Sequence, residues 1–372
     1  MDYSKIAEYI GTIEDYCNFI SSSKHLKNSC SHLHQKMFYK LHNHLWRLIK
    51  QFPDKDWNWW HISKNVNTTW NIIFDNLKQS SESQYKWDWE SICYNPNITW
   101  NIVQANQTFP AGGPRKGEKI PWDYSRLLCN PNSTWEIVSK HFPPTSVEDW
   151  KRLCCNKSIS WDSVKENLDK PWVWEDLCWS LKITMKEIRE NLRSDHPAPW
   201  GFGYLAMNSH ISLEDIEDTP EFLEYTEQLS HNKNITWEFI KKHLDKSWNW
   251  VQLSLNSNIT WDTIKNNKTC PWSPVGVSSN PNITWDIITN NPEFPWKLDR
   301  LPHNTNITWK IVRDNKLPLS DSQVADEEDD WDYWDYRIVS LLTEDLTWKD
   351  VIENPDFPWS FFALSGNKFG KK

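Results

Sequence analysis

Glycine is scarce in this chain, with 9 among 372 residues, and the mean hydropathy is only −0.74. So little glycine leaves few of the positive-φ turns on which a β-rich propeller depends. No stretch approaches the ~18 consecutive apolar residues of a transmembrane helix, so none is expected. The N-terminus, Met1 to Cys17, has early acids and no basic region followed by an apolar run, so no secretory signal is expected. The 8 cysteines include no Cys-x-x-Cys pair. In a chain of this length they read as small buried thiols of a reducing compartment, not as a disulfide framework. Basic residues are in deficit, 41 against 50 acids for a net charge of −9, which argues against a general nucleic-acid surface. Aliphatic residues are thin as well. Tryptophan takes their place, with 28 residues, and indole supplies large buried area.

A motif of the form Asn-x-Asn-Ile-Thr-Trp recurs along most of the sequence. Its Trp stands at Trp70, Trp100, Trp135, Trp161, Trp237, Trp261, Trp285, Trp309 and Trp348, and Met185 and Leu213 fill two further slots. Successive spacings are 30, 35, 26, 24, 28, 24, 24, 24, 24 and 39, so the base period is 24 with insertions. Thr or Ser precedes every slot, and Ile or Val follows it three residues later. Asn mostly stands six residues after it, as in Asn76, Asn106 and Asn267. The hydroxyl predicts an N-cap, which makes Trp the first helical residue. Ile before the cap is placed to staple against the Ile or Val of the first turn. Acids after Trp, such as Glu136, Asp162 and Asp262, suit the positive end of the helix dipole. The later Asn is expected to end the helix in a left-handed conformation. This is helix A, about two turns long.

A second pattern, Pro-Trp-x-Trp-x-x-Leu-Ser, is clearest at Pro171 to Leu177, Trp248 to Leu253 and Trp87 to Ile92. Proline at the first helical position predicts a short helix B starting there. The following Asn-Pro-Asn or Asn-x-Asn reads as the turn into the next unit. A helix-turn-helix unit of about 24 residues cannot bury its own Trp and Ile, so neighbours must stack. The expected fold is all-α, an α-solenoid of short repeats over residues 51–372, with loop insertions near 107–120 and 316–333. Residues 1–50 fall outside the pattern and read as an N-terminal helical cap. The units around 185–229 lack the anchor Trp, which suggests a bend.

Several chemical readings compete with structural ones. The sequons at Asn97, Asn234, Asn258, Asn282 and Asn306 would suggest glycosylation, but their Thr is already the N-cap of helix A. Cys30, His32, His34, His42 and His44 invite a zinc site, yet residues two apart on a helix do not share a face. The loop Gly112 to Lys119 lacks the Gly-Lys-Ser/Thr of a phosphate cradle. Cys154 and Cys155 have no His/Asp constellation beside them. Asp326 to Asp330 is either a solvated loop or an acidic strip for a basic partner. The Trp columns read as core, with stacking on bases or cations as the alternative. No catalytic residue, cofactor or metal ligand is assigned, and no enzyme is expected.

The tandem Asn-x-Asn-Ile-Thr-Trp and Pro-Trp-x-Trp units resemble the Trp-rich repeat proteins of mimivirus-like giant viruses over roughly residues 51–372. That resemblance implies a viral protein acting inside the host cell, in its cytoplasm, or packaged in the virion. The N-terminal Ile6, Tyr9, Ile10, Asp15, Phe19, Ser23, Lys24 and Leu26 follow an order similar to an F-box, without its opening Leu-Pro-x-Glu. The F-box resemblance implies docking to the adaptor of a cullin ubiquitin ligase. Two expectations follow. One is a non-catalytic scaffold that binds a protein partner, with neither nucleic acid nor membrane involved. The other is an adaptor that recruits a host ubiquitin ligase to a target held by the repeats.

Overall fold

The computed structural model describes residues 43–78, 85–315, 336–343 and 345–369. Every regular element among them is a helix, of four to eight residues, and the single β-bridge, Thr108–Lys119, is isolated. No described helix is long and apolar enough to cross a membrane. The repeats form an all-α array. Helices A begin at each of the eleven predicted slots, from Trp70 to Trp348, with Met185 and Leu213 included. Helices B begin at Trp59, Trp89, Tyr124, Val147, Trp174, Phe202, Thr226, Trp250, Pro274, Leu298, Tyr336 and Phe361, which defines twelve units.

Capping explains why such short helices persist. Thr99, Ser160, Thr236, Thr260, Thr284 and Thr308 each accept a hydrogen bond from the backbone amide three residues on. Thr184, Ser212 and Thr347 add the reciprocal acid of a capping box, Glu187, Asp215 and Asp350. Thr69 and Thr134 stand at the same position without a side-chain cap bond.

Two local expectations are corrected. The Asn that closes helix A is not left-handed: among the described residues the only non-glycine with positive φ is Phe369. Asn267 has φ −127°, and its Nδ2 donates back to the Thr263 carbonyl at 2.7 Å. Asn76, Asn106, Asn167, Asn291 and Asn354 make the same bond to the carbonyl four residues earlier. The side chain therefore satisfies a terminal carbonyl that a left-handed turn would otherwise serve. Nor does the proline of the Pro-Trp pair open helix B. Trp174 is the first helical residue and Pro171 lies three residues before it. The Trp after proline stays outside the helix, where its Nε1 donates to the carbonyl of the closing Asn, as from Trp172 to Asn167 at 2.7 Å.

Neighbouring units are joined by side-chain amides. In Asn-x-Asn the first Asn crosses to the unit before it: Asn280 Nδ2 donates to the carbonyls of Ser254, Asn256 and Ile259 at 2.8–3.1 Å. The second Asn does the same one strand of turn away, Asn282 reaching the Ser257 and Ile259 carbonyls. A Ser or Cys at the end of helix B accepts the N-cap amide of the next helix B, as in Ser254 from Ser273 at 2.9 Å and Cys154 from Val173 at 3.3 Å. The ladder continues through the units without anchor Trp, where Asn208 reaches Cys178 and Leu181 and Asn232 reaches Ala206 and Asn208.

The array closes on itself. Asn65 of the first unit donates to the carbonyls of Ser365 and Asn367, both at 3.0 Å, and the Ser365 hydroxyl accepts the Asn58 amide at 2.9 Å. Asn67 reaches the Lys368 carbonyl. These are the bonds that join most other pairs of units; Leu181 and Thr343 replace the first Asn in units five and eleven. Unit twelve has only its helix B, Phe361–Leu364, at the C-terminal end of the chain. Its helix A slot is filled by His44–Gln51, which packs beside Trp348–Glu353 and whose His44 Nδ1 accepts the Trp348 amide. The expected boundary at residue 50 thus falls inside a helix of the array. The result is a ring of twelve units whose last unit is assembled from two segments far apart in sequence, His44–Gln51 and Phe361–Leu364.

Candidate functional site

Position along helix B decides what each side chain does. Counting from the N-cap residue, the fourth position is Ile62, Ile92, Leu127, Leu177, Leu205, Leu253, Val277 or Leu364, all buried against helix A. The fifth is the Ser/Cys spacer in most units, with Leu128, Ala206 and Pro302 in its place in three. The second and sixth positions, with third-position residues such as Arg126 and Tyr204, form the face of helix B that points away from the core, while Ser91, Gly276 and Ala363 at the third are buried. Most consecutive helices B touch one another, whereas among helices A only those of units eleven and twelve approach as closely. The shorter, inner circumference of the ring therefore belongs to helices B, and this face lines the bore.

The anchor indoles are not on that face. Trp70, Trp161 and Trp309 are buried, and Trp100, Trp135, Trp237, Trp261, Trp285 and Trp348 are half-buried against the core. Most pair with the Trp that precedes helix B two units on: Trp135 with Trp172 at 5.1 Å, Trp161 with Trp200 at 5.1 Å, Trp261 with Trp296 at 5.5 Å. That second Trp meets the first residue of the preceding helix B edge-on, as in Trp174–Trp200 and Trp250–Trp272, the favoured aromatic geometry. The seam repeats it with Phe361 against Trp57 at 5.3 Å.

The exposed large apolar groups lie mostly on helices B. Trp60 is 48% exposed, Trp179 53% and Phe362 51%, and Tyr204, Val251, Val275 and Leu341 join them. No sequence column flagged these residues, because the inward positions vary from unit to unit and so carry no period.

Polar groups on the same face differ around the ring. Lys64 Nζ lies 3.1 Å over the Trp60 ring. Arg126 donates to the Tyr94 hydroxyl at 2.8 Å and to Glu90 at 3.2 Å. Arg152 pairs with Glu148 at 3.2 Å and lies near Asp149. Burial would raise the Asp149 carboxyl, but hydrogen bonds from Ser125 and from the Thr145 amide and hydroxyl bring it down to about 2. Lys64, Arg126 and Arg152 thus have partners within the protein.

The cysteines are spacers. Burial pushes the Cys93 and Cys154 thiols up to about 12, and Cys178 to about 11, far from the thiolate a nucleophile or metal ligand needs. Only Cys155 is exposed among the described cysteines. No group of three metal-ligating side chains occurs among the described residues. The sequon amides are occupied: Asn97 donates to Val66 and Thr68, Asn234 to Ser209 and Ile211, and Asn258 to Lys233 and Ile235. The loop at 109–120 docks rather than standing free, with Phe109 and Ile120 buried and Arg115 4.2 Å over the Phe109 ring.

The F-box-like residues Ile6, Tyr9, Ile10, Asp15, Phe19, Ser23, Lys24 and Leu26 lie outside the described residues, as do Cys30, His32, His34, His42 and the acidic run Asp326–Asp330. His44 is described, and it serves the ring seam, stacked on Phe369 at 5.8 Å. No family model, curated protein or solved structure matches this chain.

Proposed function

We propose that the protein is a non-catalytic ring scaffold that binds a protein partner on the bore-facing side of helices B. One observation carries the reading. A fold that has slots for most of its 28 tryptophans nonetheless leaves Trp60, Trp179 and Phe362 about half exposed on this one side. Exposed aromatic groups in a row with aliphatic ones are the usual anchors of a protein interface. The surrounding ion pairs fit a polar rim.

Affinity capture with the whole chain, read by mass spectrometry, tests the proposal. A partner should be retained by the wild type and by a Leu192→Glu, Leu244→Glu control, whose exposed leucines lie outside this face. It should be lost from a Trp179→Glu, Val251→Glu variant of unchanged helical circular dichroism. Retention by the latter variant would refute the assignment of the face.

A further inference from the structure

We infer that the cavity between units six and seven receives a cationic side chain, lysine or arginine, of the protein partner. Tyr204 and Tyr225 supply the aromatic walls, and Glu227, with Glu175 and Asp176 on the adjoining helix, supplies the countercharge. The inference rests on the proposed scaffold function and names the chemistry of its partner.

The cavity encloses ≈ 540 Å³ on the bore side, lined by Phe202, Tyr204, Met207, Tyr225, Glu227 and Gln228, with His231 at its edge. It exists because unit six departs from the repeat. Gly203 stands where other units carry Glu90, Lys151, Glu175, Val251 or Val275. A Cβ on Gly203 would lie 3.1 and 3.3 Å from Cδ1 and Cε1 of Tyr225, and one on Gly201 would lie 3.0 Å from Cδ2 of Tyr204. Gly201 has an ordinary φ of −97°, so its backbone does not require glycine. The two glycines instead make room for two tyrosine rings. Two of the chain's 9 glycines, one at the N-cap and one in the first turn of the same short helix, thus shape this cavity.

Charge selects the occupant. In units one to four Lys64, Arg126 and Arg152 on this face already have partners, an indole ring for the first and carboxylates for the other two. Around the cavity the balance reverses. Among the described residues no basic group lies within ion-pair distance of Glu175, Asp176 or Glu227. The Asp176 carboxyl is pushed up by burial and by the like charges of Glu175 and Glu148, against the pull of Lys151. The charge of Glu175 also raises the Tyr204 phenol. An anion would be repelled here. An aliphatic side chain would leave Glu227, on the cavity wall, without a cation. A cation over the π-face of a tyrosine, close to a carboxylate, gains from both.

The test uses the intact protein and four short peptides identical except for a central Arg, Lys, Leu or Glu. Binding is followed by saturation-transfer NMR. The Arg and Lys peptides should bind about tenfold more tightly than the Leu and Glu peptides, and less tightly as salt rises. Glu227→Gln should remove most of that preference. Tyr225→Phe, which keeps the ring, should retain it, and Tyr225→Leu should lose it. Equal binding of the four peptides, or preference for Leu, overturns the inference even if partner capture on the face succeeds. Peptide preference with failed partner capture would instead remove the scaffold reading and leave a cation site.

Discussion

The side-chain amide of Asn65 donates to the backbone carbonyl of Ser365, 3.0 Å away in space and 300 residues away in sequence. The same bond joins Asn95 to Ser63 and Asn280 to Ser254 between sequential units. The first and last units therefore meet by the bond that joins most other neighbours. A closed ring has no unpaired terminal unit, whereas an open solenoid needs caps with a polar outer face.

Breaking that seam should open the ring. Asn65→Leu leaves buried carbonyls of Ser365 and Asn367 without a donor, at a cost of about 1–3 kcal/mol. Asn280→Leu removes the equivalent bonds inside the array at a similar cost. Small-angle scattering separates the two sites. A chain ending at residue 360 should expand in radius of gyration and melt earlier, while Asn280→Leu should melt earlier without expanding. Unchanged scattering from the truncated chain would sink ring closure.

The caps give a prediction with an internal control. Thr260 and Thr284 accept amide hydrogen bonds from Thr263 and Ile287, both at 3.3 Å. Thr134 occupies the same slot without one. Replacement of Thr260 or Thr284 by Ala should cost about 0.5–2 kcal/mol, and Thr134→Ala clearly less. Chemical denaturation of the three variants reads the difference directly.

The eleven starts of helix A were legible because caps and first-turn apolar residues are local, and local rules repeat visibly at period 24. The end of helix A was not: Asn267 could have ended it in two ways, and the choice depends on Trp272, whose indole takes the Asn267 carbonyl at 3.0 Å. Asn-x-Asn could be seen as a turn, but its amides reach across to another unit, which no single repeat reveals. Ring closure left only a trace, a lone helix B pattern after Trp359: before Trp57, Asn43 and Arg47 stand where helix A elsewhere has Thr or Ser and Ile or Val. The bore face was the least legible part. Trp60, Trp179 and Tyr204 sit at positions that share geometry but not residue type.

Acid should weaken one joint between units three and four. Asp149 has a folded pKa of about 2 against an ordinary 3.8, held there by Ser125 and Thr145. A depressed carboxyl contributes stability above its unfolded pKa and loses it as pH falls through the folded value. Asp149→Asn should therefore destabilise the protein by about 1–2 kcal/mol near neutrality. The gap to wild type should close between about pH 4 and pH 2. A gap that stays constant over that range would mean the charge of Asp149 has no role.

Gly276 measures how tightly helices B approach. An added Cβ would stand 2.6 Å from the Ser254 Cβ and 2.6 Å from the Val251 carbonyl oxygen, contacts no real Cβ tolerates. Its backbone is helical, so alanine would favour the local conformation by about 1 kcal/mol were the neighbour absent. Overpacking of this kind costs about 1–3 kcal/mol, so the steric term should prevail and Gly276→Ala should lower the melting temperature. Shrinking the other side cannot fully repair it, because the Val251 carbonyl is backbone: a Gly276→Ala, Ser254→Gly pair, which removes the serine Cβ, should recover only part of the loss. Full recovery in the double variant would place the close approach at the serine alone, and no loss in the single variant would mean that units eight and nine are not packed helix against helix.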